Sequence, residues 1–369
     1  MSILPPSEEM QEGKARIKVA GIGGGGSNTI TYMVLKELRG AFTIAANTDK
    51  QALDRAKADK KIQLGEKLTK GLGAGGDPEI GRKAMEESAQ EFKEALTESD
   101  MVFLTAGMGG GTGTGGIPVA AQLAREVGAL TVAVVTKPFS FEGLRRMRRA
   151  EEGIQQLKGR VDTLIVIAND RLLQTVDKNT SILDAFALVN DVLYKAVKGI
   201  IDIILKPGLV NVDFADVRNV MTAGGDAIMG SGIAKGENRA REAAKNAVHS
   251  PLLDGATIQG ARGLLINVVG GENFTLHELN EAVSVIYEEA SKGGTDPEVI
   301  MGAVIDPSLG EYLQVTVIAT GIGTAKPRIT FSGRRQREEG IIEDLRIPAF
   351  TRKKVHRDFA FEPDNGKFH

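Results

Sequence analysis

The 369-residue chain has no cysteine and no tryptophan. Without cysteine there is no disulfide, no thiolate metal site and no thiol nucleophile. Histidine is scarce. His249, His277, His356 and His369 are not spaced as a metal pair, and no HExxH occurs, so no metal site built from side chains is expected. No apolar run approaches the ~18 residues of a membrane span. The opening Met1-Ser-Ile-Leu-Pro-Pro6 lacks the apolar stretch of a signal peptide, which predicts a cytoplasmic protein not inserted in a membrane. An excess of one charge is missing too. Lys and Arg number 46 against 48 Asp and Glu, a net −2, so there is no basic footprint for nucleic acid. What abounds is glycine, 45 residues, and it is clustered.

From Arg16 to about Thr136, short β-rich runs alternate with helical patterns. Ile17–Ala20, Phe42–Ala46, Met101–Thr105, Leu130–Val135 and Leu164–Ile167 read as strands. The first of these leads into a glycine turn over 21–26 and a helix from Asn28 to Leu38. Pro78–Leu96, with Asp77 as N-cap, Pro118–Val127 and Gly143–Leu157 read as further helices. Continuously apolar strands between helices predict a parallel sheet covered on both faces. Ser181–Leu205 reads as one long helix, apolar around much of its circumference. At 1.5 Å per residue its ~25 residues span about 37 Å, enough for a strut between two domains. Beyond it, helices at 215–221, 237–249 and 276–291 and strands at 263–269, 299–305 and 312–320 predict a smaller α+β domain. The expected order is a loose tail (1–15), a nucleotide-binding domain (16–180), the central helix (181–206), the second domain (207–323), a charged linker (324–342), an apolar island (343–354) and a polar extension (355–369).

Three glycine clusters fall at strand–helix junctions of the first domain: Gly21–Gly26, Gly71–Gly76 and Gly107–Gly116. Glycine lets backbone N–H groups approach an anion, and a helix N-terminus adds a favourable dipole. Loops at the carboxyl ends of parallel strands line the crevice where such folds bind ligands. Gly21-x-Gly23-x-x-Gly26, with Asp49 about 20 residues on, also satisfies the dinucleotide fingerprint. Read alone it allows an NAD-dependent oxidoreductase with a Rossmann domain. That reading leaves two glycine clusters unexplained, and no Walker GxxxxGK[ST] is present.

Gly109-Gly-Gly-Thr-Gly-Thr-Gly115 resembles the signature loop of the tubulin/FtsZ family of GTPases. Asn47-Thr-Asp49, Gly71–Asp77, Pro138–Gly143, Asn190-Asp191 and Asn211–Asp216 follow that family's order, over about Ile17 to Thr320. The resemblance implies an α/β fold: a parallel-sheet GTP-binding domain joined by a long central helix to a smaller α+β domain. It implies GTP and GDP as substrate and product, Mg²⁺ with the phosphates, and room for a monovalent cation. It assigns Gly24, Gly25, Gly26, Asn28, Gly111, Thr112 and Gly113 to the phosphates, and Ala74, Gly75 and Gly76 to sensing the terminal one. Asn47 and Asp49 belong to the same site. Glu142 and Arg146 fall to the ribose and phosphate side, Asn169 and Asp191 to reading guanine, and Phe186 to packing on the base. Glu142 and Arg146, at i, i+4, also read as an ordinary helical ion pair.

By the same resemblance, Asn211, Asp213 and Asp216 match the catalytic loop. Asp213 and Asp216 equally suit the N-cap and first turn of a helix. If Asp191 touches the base, the helix runs at least 14 residues further, about 21 Å. Asp213 and Asp216 then lie far from their own subunit's phosphates and act on a neighbour's, which makes head-to-tail self-assembly a condition of hydrolysis. The resemblance implies a filament at the division site. It also implies that Ile347, Pro348 and Phe350 dock membrane tethers and other division proteins. The alternatives are the oxidoreductase and a scaffold that binds GTP without turnover.

Overall fold

A computed structural model describes residues 15–174, 179–205, 213–222 and 225–322. Residues 1–14 of the expected tail, Asn211, the linker, the island with Ile347, Pro348 and Phe350, and residues 355–369 lie outside the described residues.

The first half runs β1 (Ile17–Ile22), α1 (Gly23–Leu35), β2 (Ala41–Asn47), α2 (Lys50–Arg55), β3 (Lys60–Gln63), α3 (Glu66–Thr69), α4 (Pro78–Glu87), α5 (Ala89–Leu96), β4 (Met101–Gly107), α6 (Thr112–Glu126), β5 (Leu130–Lys137), α7 (Leu144–Leu157), β6 (Thr163–Ala168) and α8 (Asn169–Leu172). The long helix α9 spans Ile182–Leu205. Then come α10 (Phe214–Thr222), β7 (Gly225–Lys235), α11 (Arg239–Val248), β8 (Gly263–Gly270), α12 (Leu276–Ser291), β9 (Glu298–Ile305) and β10 (Tyr312–Thr320).

The ten strands among the described residues form one sheet, ordered β3-β2-β1-β4-β5-β6-β7-β10-β8-β9. The first six are parallel, as the apolar runs predict. The two halves are zipped by a parallel ladder between β6 and β7, Thr163 opposite Gly225 to Ile165 opposite Ala227. Beyond it β10 runs antiparallel to β7 and β8. Alternation along each strand feeds two cores. Val19 of β1 points into the core under α1 and α9, while Ala20 and Ile22 point into the core under α4–α7.

Helix α9 covers one face of both half-sheets. Its Leu193, Ala196, Val197 and Ile200 share a single core with Phe103 and Val132 of the first half and Leu265, Ile300 and Ile318 of the second. Near its start, Asn190 Oδ1 accepts from Thr29 Oγ1 of α1 at 3.0 Å. At its end, Leu205 packs where a Cβ on Gly40, just before β2, would stand 2.4 Å from Leu205 Cδ1. The helix therefore crosses the sheet from the carboxyl ends of the strands to their amino ends.

Four expectations are corrected. The expected turn over 21–26 is already helix from Gly23, and α6 begins at Thr112, not Pro118, so two glycine clusters are themselves helix N-termini. Pro78–Leu96 is two helices. Asp77 and Pro78 start the first as predicted, but Ser88 breaks the run because its Oγ is tied to the end of β3, accepting from Gly65 N–H at 3.0 Å and donating to Gln63 C=O at 3.3 Å. Strand β7 was not expected from its glycine-rich sequence. Its Gly230 and Gly232 let α11 lie on the backbone: a Cβ at either would fall 2.0 Å from Ala247 O or 2.2 Å from Ala243 O. The small elements α2, β3, α3 and α8 also escape the periodicity reading.

Candidate functional site

A cleft of about 220 Å³ opens at the carboxyl ends of β1, β4, β5 and β6. Gly25, Asn28 and Thr29 of α1 form one wall. Gly107 and Thr136 lie at the carboxyl ends of β4 and β5, and Met108 and Pro138 just follow those strands. Glu142, Arg146, Asn169 and four residues of α9 (Phe186, Val189, Asn190 and Leu193) close it. These strand ends are where open α/β sheets bind ligands.

One end of the cleft is suited to phosphate. The first turns of α1 and α6 meet there. Gly23 has φ +74°, and a Cβ on it would stand 2.7 Å from Gly113 N, so no side chain fits between the two helix starts. A Cβ on Gly24 or Gly110 would meet nothing within 4 Å. Two helix N-termini with open glycine backbone are a seat for anionic oxygens. Gly24, Gly25, Gly26, Gly111, Thr112 and Gly113 are thus brought together. Gly26 itself is buried against Gly21 and Thr105. Thr112 Oγ1 lies 2.6 Å from Thr48 Oγ1. Ala74 lies beside Gly111, where an added Cβ would come within 2.8 Å of it, and Gly75 stands in open space.

The other end is suited to a planar base. Phe186 stands edge-on to Phe139, with ring centroids 5.4 Å apart at 89°, and Phe139 stacks on Phe141 at 5.0 Å. Glu142 Oε1 accepts from Phe139 N–H at 2.9 Å, and Oε2 meets Arg146 Nη1 at 3.0 Å. The expected ion pair therefore forms, and both partners still face the cleft. Asn169 is 4% exposed and its Oδ1 has no hydrogen-bond partner among the described residues. A buried amide left unsatisfied at a cleft wall marks a place for a ligand.

Three residues stand off from the cleft. Asp191 does not line it. Its Oδ1 accepts from Tyr32 O–H at 3.0 Å and its Oδ2 meets Lys195 Nζ at 2.8 Å. Burial, and then the hydrogen bond to Asp191, push the Tyr32 phenol up to about 12. Asp49 caps α2 by accepting from Ala52 N–H at 3.0 Å, while Asn47 Oδ1 accepts from Asp49 N–H at 3.3 Å. Thr29, Met108, Thr136, Pro138, Val189, Asn190 and Leu193 line the cleft without having been assigned to the site, although Met108, Pro138 and Asn190 fall in segments that the sequence singles out. A signal existed for part of this set: Phe186, Val189, Asn190 and Leu193 fall at i, i+3, i+4 and i+7, one face of a helix.

The order β3-β2-β1-β4-β5-β6 is also that of dinucleotide-binding folds, so topology alone does not choose the nucleotide. The family models do. The Tubulin/FtsZ family, GTPase domain, matches residues 16–177, and the FtsZ family, C-terminal domain, matches residues 225–323. The chain belongs to the tubulin/FtsZ family. It is 52% identical over 310 residues to the cell division protein FtsZ of Coxiella burnetii, covering 84% of this chain and 80% of that protein. Among solved structures it resembles an empty FtsZ dimer from M. jannaschii with TM-score 0.80 and 48% identity, over 91% of this chain and 96% of the other. It shares only its fold with CetZ2 of Haloferax volcanii, at 21% identity and TM-score 0.68, over 83% of this chain and 93% of the other. As a member of the FtsZ branch it is a GTPase. The oxidoreductase alternative falls with this finding, as does a scaffold without turnover.

The two described acids of the expected catalytic loop, Asp213 and Asp216, are exposed at the opposite pole. Asp213 C=O accepts from Asp216 and Val217 N–H as α10 begins, so it occupies the N-cap position foreseen for it. The far end of α10 is pinned to the amino ends of the strands. Thr163 Oγ1 at the start of β6 donates to Met221 C=O, and Arg218 Nη2 donates to Asp100 C=O just before β4. Helix α9 is unbroken from Ile182 to Leu205. Among the described residues, no group of three His, Asp or Glu is placed to hold a metal, and no helix is long and apolar enough to cross a membrane.

Proposed function

We propose that the cleft binds GTP with its phosphates on the first turns of α1 and α6 and its base between Phe186 and Asn169, and that a second copy completes hydrolysis. The observation that carries this is polar separation. The cleft lies at the carboxyl ends of the strands, while α10 hangs from their amino ends through Thr163 and Asp100. Asp213 and Asp216 then position and polarise the attacking water in the next subunit's cleft, and Asn211 belongs with them. One pole meeting a different pole is a heterologous contact, which grows into open filaments.

In the cleft Gly24, Gly25, Gly26, Asn28, Gly111, Thr112 and Gly113 cradle the phosphates, and Ala74, Gly75 and Gly76 meet the terminal one. Asn47 and Asp49 support that end. Glu142 and Arg146 hold the ribose side, and Asn169 reads the base. Asp191 joins Asn169 in reading guanine, its carboxylate held ready by Tyr32 and Lys195. Arg146 is the one cation among the lining residues. The uncharged donors of the cradle leave phosphate charge unneutralised where no P-loop lysine is present, and a phosphate-bound Mg²⁺ would supply that neutralisation; a monovalent cation is a further candidate. The filament works in cell division at the septum, in the cytoplasm. Ile347, Pro348 and Phe350 hold membrane tethers and other division proteins, since an apolar anchor between charged stretches suits fold-on-binding recognition.

The test is right-angle light scattering with GTP and Mg²⁺, together with phosphate release over a range of protein concentrations. Release per molecule should rise with concentration alongside scattering. Release per molecule that stays constant on dilution would exclude a shared site.

A further inference from the structure

We propose that Arg149 is a positioning residue that latches the 71–77 loop, and with it the seat of the terminal phosphate; this rests on the nucleotide reading above. The loop has little stiffness of its own. Gly71, Gly73, Gly75 and Gly76 all have positive φ, between +57° and +87°. Its first half is fixed to the end of β2, with Lys50 N–H donating to Gly71 C=O at 3.1 Å and Gly73 N–H to Thr48 C=O at 3.3 Å. In its second half, the bond from Asp77 N–H to Ala74 C=O at 2.9 Å stays within the loop. The tie to the body of the protein comes from α7, where Arg149 Nη1 donates to Gly76 C=O.

The guanidinium occupies the space a side chain at 76 would need. A Cβ on Gly76 would stand 3.1 Å from Arg149 Nη1. Arg149 Nε also donates to Arg145 C=O at 3.3 Å, one turn back, which sets the direction of the fork. Arg149 sits three residues beyond Arg146, a neighbouring position on the helix surface. Arg146 lines the cleft. One surface of α7 therefore holds the cleft and the loop at once. The loop in turn rests on the start of α6 through Ala74 and Gly111. Releasing Gly76 frees the part of the wall that a third phosphate reaches and a second does not.

The latch is tested with Arg149→Ala and Arg149→Lys in the full chain, by amide hydrogen exchange without nucleotide and by GTP and GDP affinity. Loss of a charged hydrogen bond predicts roughly tenfold faster exchange at residues 75–77 in Arg149→Ala, with 101–107 unchanged. GTP affinity should fall by about the same factor, while GDP affinity moves less than about twofold. Arg149→Lys, which keeps a cationic donor, should recover part of both. Unchanged exchange at 75–77, or equal losses for GTP and GDP, would overturn the proposal. The exchange arm needs no nucleotide, so it decides the latch even if the wild-type chain binds neither GTP nor GDP, a result that would sink the nucleotide reading instead.

Discussion

The hydroxyl of Thr163 donates to the carbonyl of Met221 at the amino end of β6, six residues before Asn169, which lines the cleft just past the other end. At ~3.3 Å per residue that separation is about 20 Å. A hydrogen bond reaches about 3 Å, so the helix that carries Asp216 is anchored out of reach of its own cleft.

Complementation between two inactive variants follows. A Cβ on Gly24 would meet nothing within 4 Å, so Gly24→Asp should fold while its carboxylate repels phosphate. Asp213→Ala should bind GTP and fail to cleave it. Each alone should release phosphate at least about tenfold more slowly than wild type. An equimolar mixture should regain a substantial share of activity, because Gly24→Asp supplies intact acids to the nucleotide held by Asp213→Ala. A mixture no better than the mean of its parts would count against a shared site.

Base recognition should depend on Asn169. Replacing it with Ala removes a buried amide whose Oδ1 lacks a protein partner. We expect GTP affinity to fall by roughly tenfold, the value of one hydrogen bond of about 1.4 kcal/mol. The melting temperature should change little, and the preference for GTP over ATP should shrink.

The contact between α4 and α6 should tolerate no side chain at Gly115. A Cβ there would fall 1.7 Å from Pro78 O. Gly115→Ala should cost about 1–3 kcal/mol or more from overpacking. Gly110→Ala, where a Cβ would meet nothing within 4 Å, should stay near wild type. Urea midpoints of the two variants would separate these outcomes.

The Tyr32 phenol, raised from 10.0 to about 12, favours the neutral form in the folded state. Its contribution is complete below pH 10 and is lost as pH rises through about 12. Tyr32→Phe should therefore flatten the decline of stability across that window. Alkaline unfolding curves that match wild type would refute the assignment.

Arg239 is 5% exposed and is held by both Glu278 oxygens, by Asn273 and by Glu311 C=O. The Arg239 hydrogen bond holds the Glu278 carboxyl below its usual range, against the opposing pull of burial. That lowered value contributes stability present above the unfolded pKa of 4.5 and lost as pH falls through the folded one. Arg239→Ala leaves the partly buried acid without its cation, with only Thr275 among the described residues still donating to it, and should cost about 2–3 kcal/mol. Acid unfolding midpoints of wild type, Arg239→Ala and Glu278→Gln check the sign.

Much of this molecule can be read from its residues, and the exceptions have physical causes. Continuous apolar runs announce β1, β4, β5 and β6, and Thr275 with Glu278 announces α12 to the residue. The shortness of α2, β3, α3 and α8 hides those elements, and glycine hides much of the rest. It lowers helix propensity, so Gly23–Gly26 and Thr112–Gly116 read as turns although their first-turn backbone is what an anion needs. It also hides β7, whose Gly230 and Gly232 answer to the helix lying on them and not to strand preference. Asp191 pairs with Tyr32, 159 residues away. No local spacing reports a contact of that kind.

Helix α9 touches the cleft with Phe186 and ends against Gly40 at Leu205, about 28 Å further along its axis. An unbroken helix of that length can act as a lever. A tilt of about 6° at the cleft end would swing the far end by roughly 3 Å, the length of a hydrogen bond. If the cleft holds the nucleotide and a second copy docks at the far pole, as proposed above, a change at one pole would be felt as a change of fit at the other.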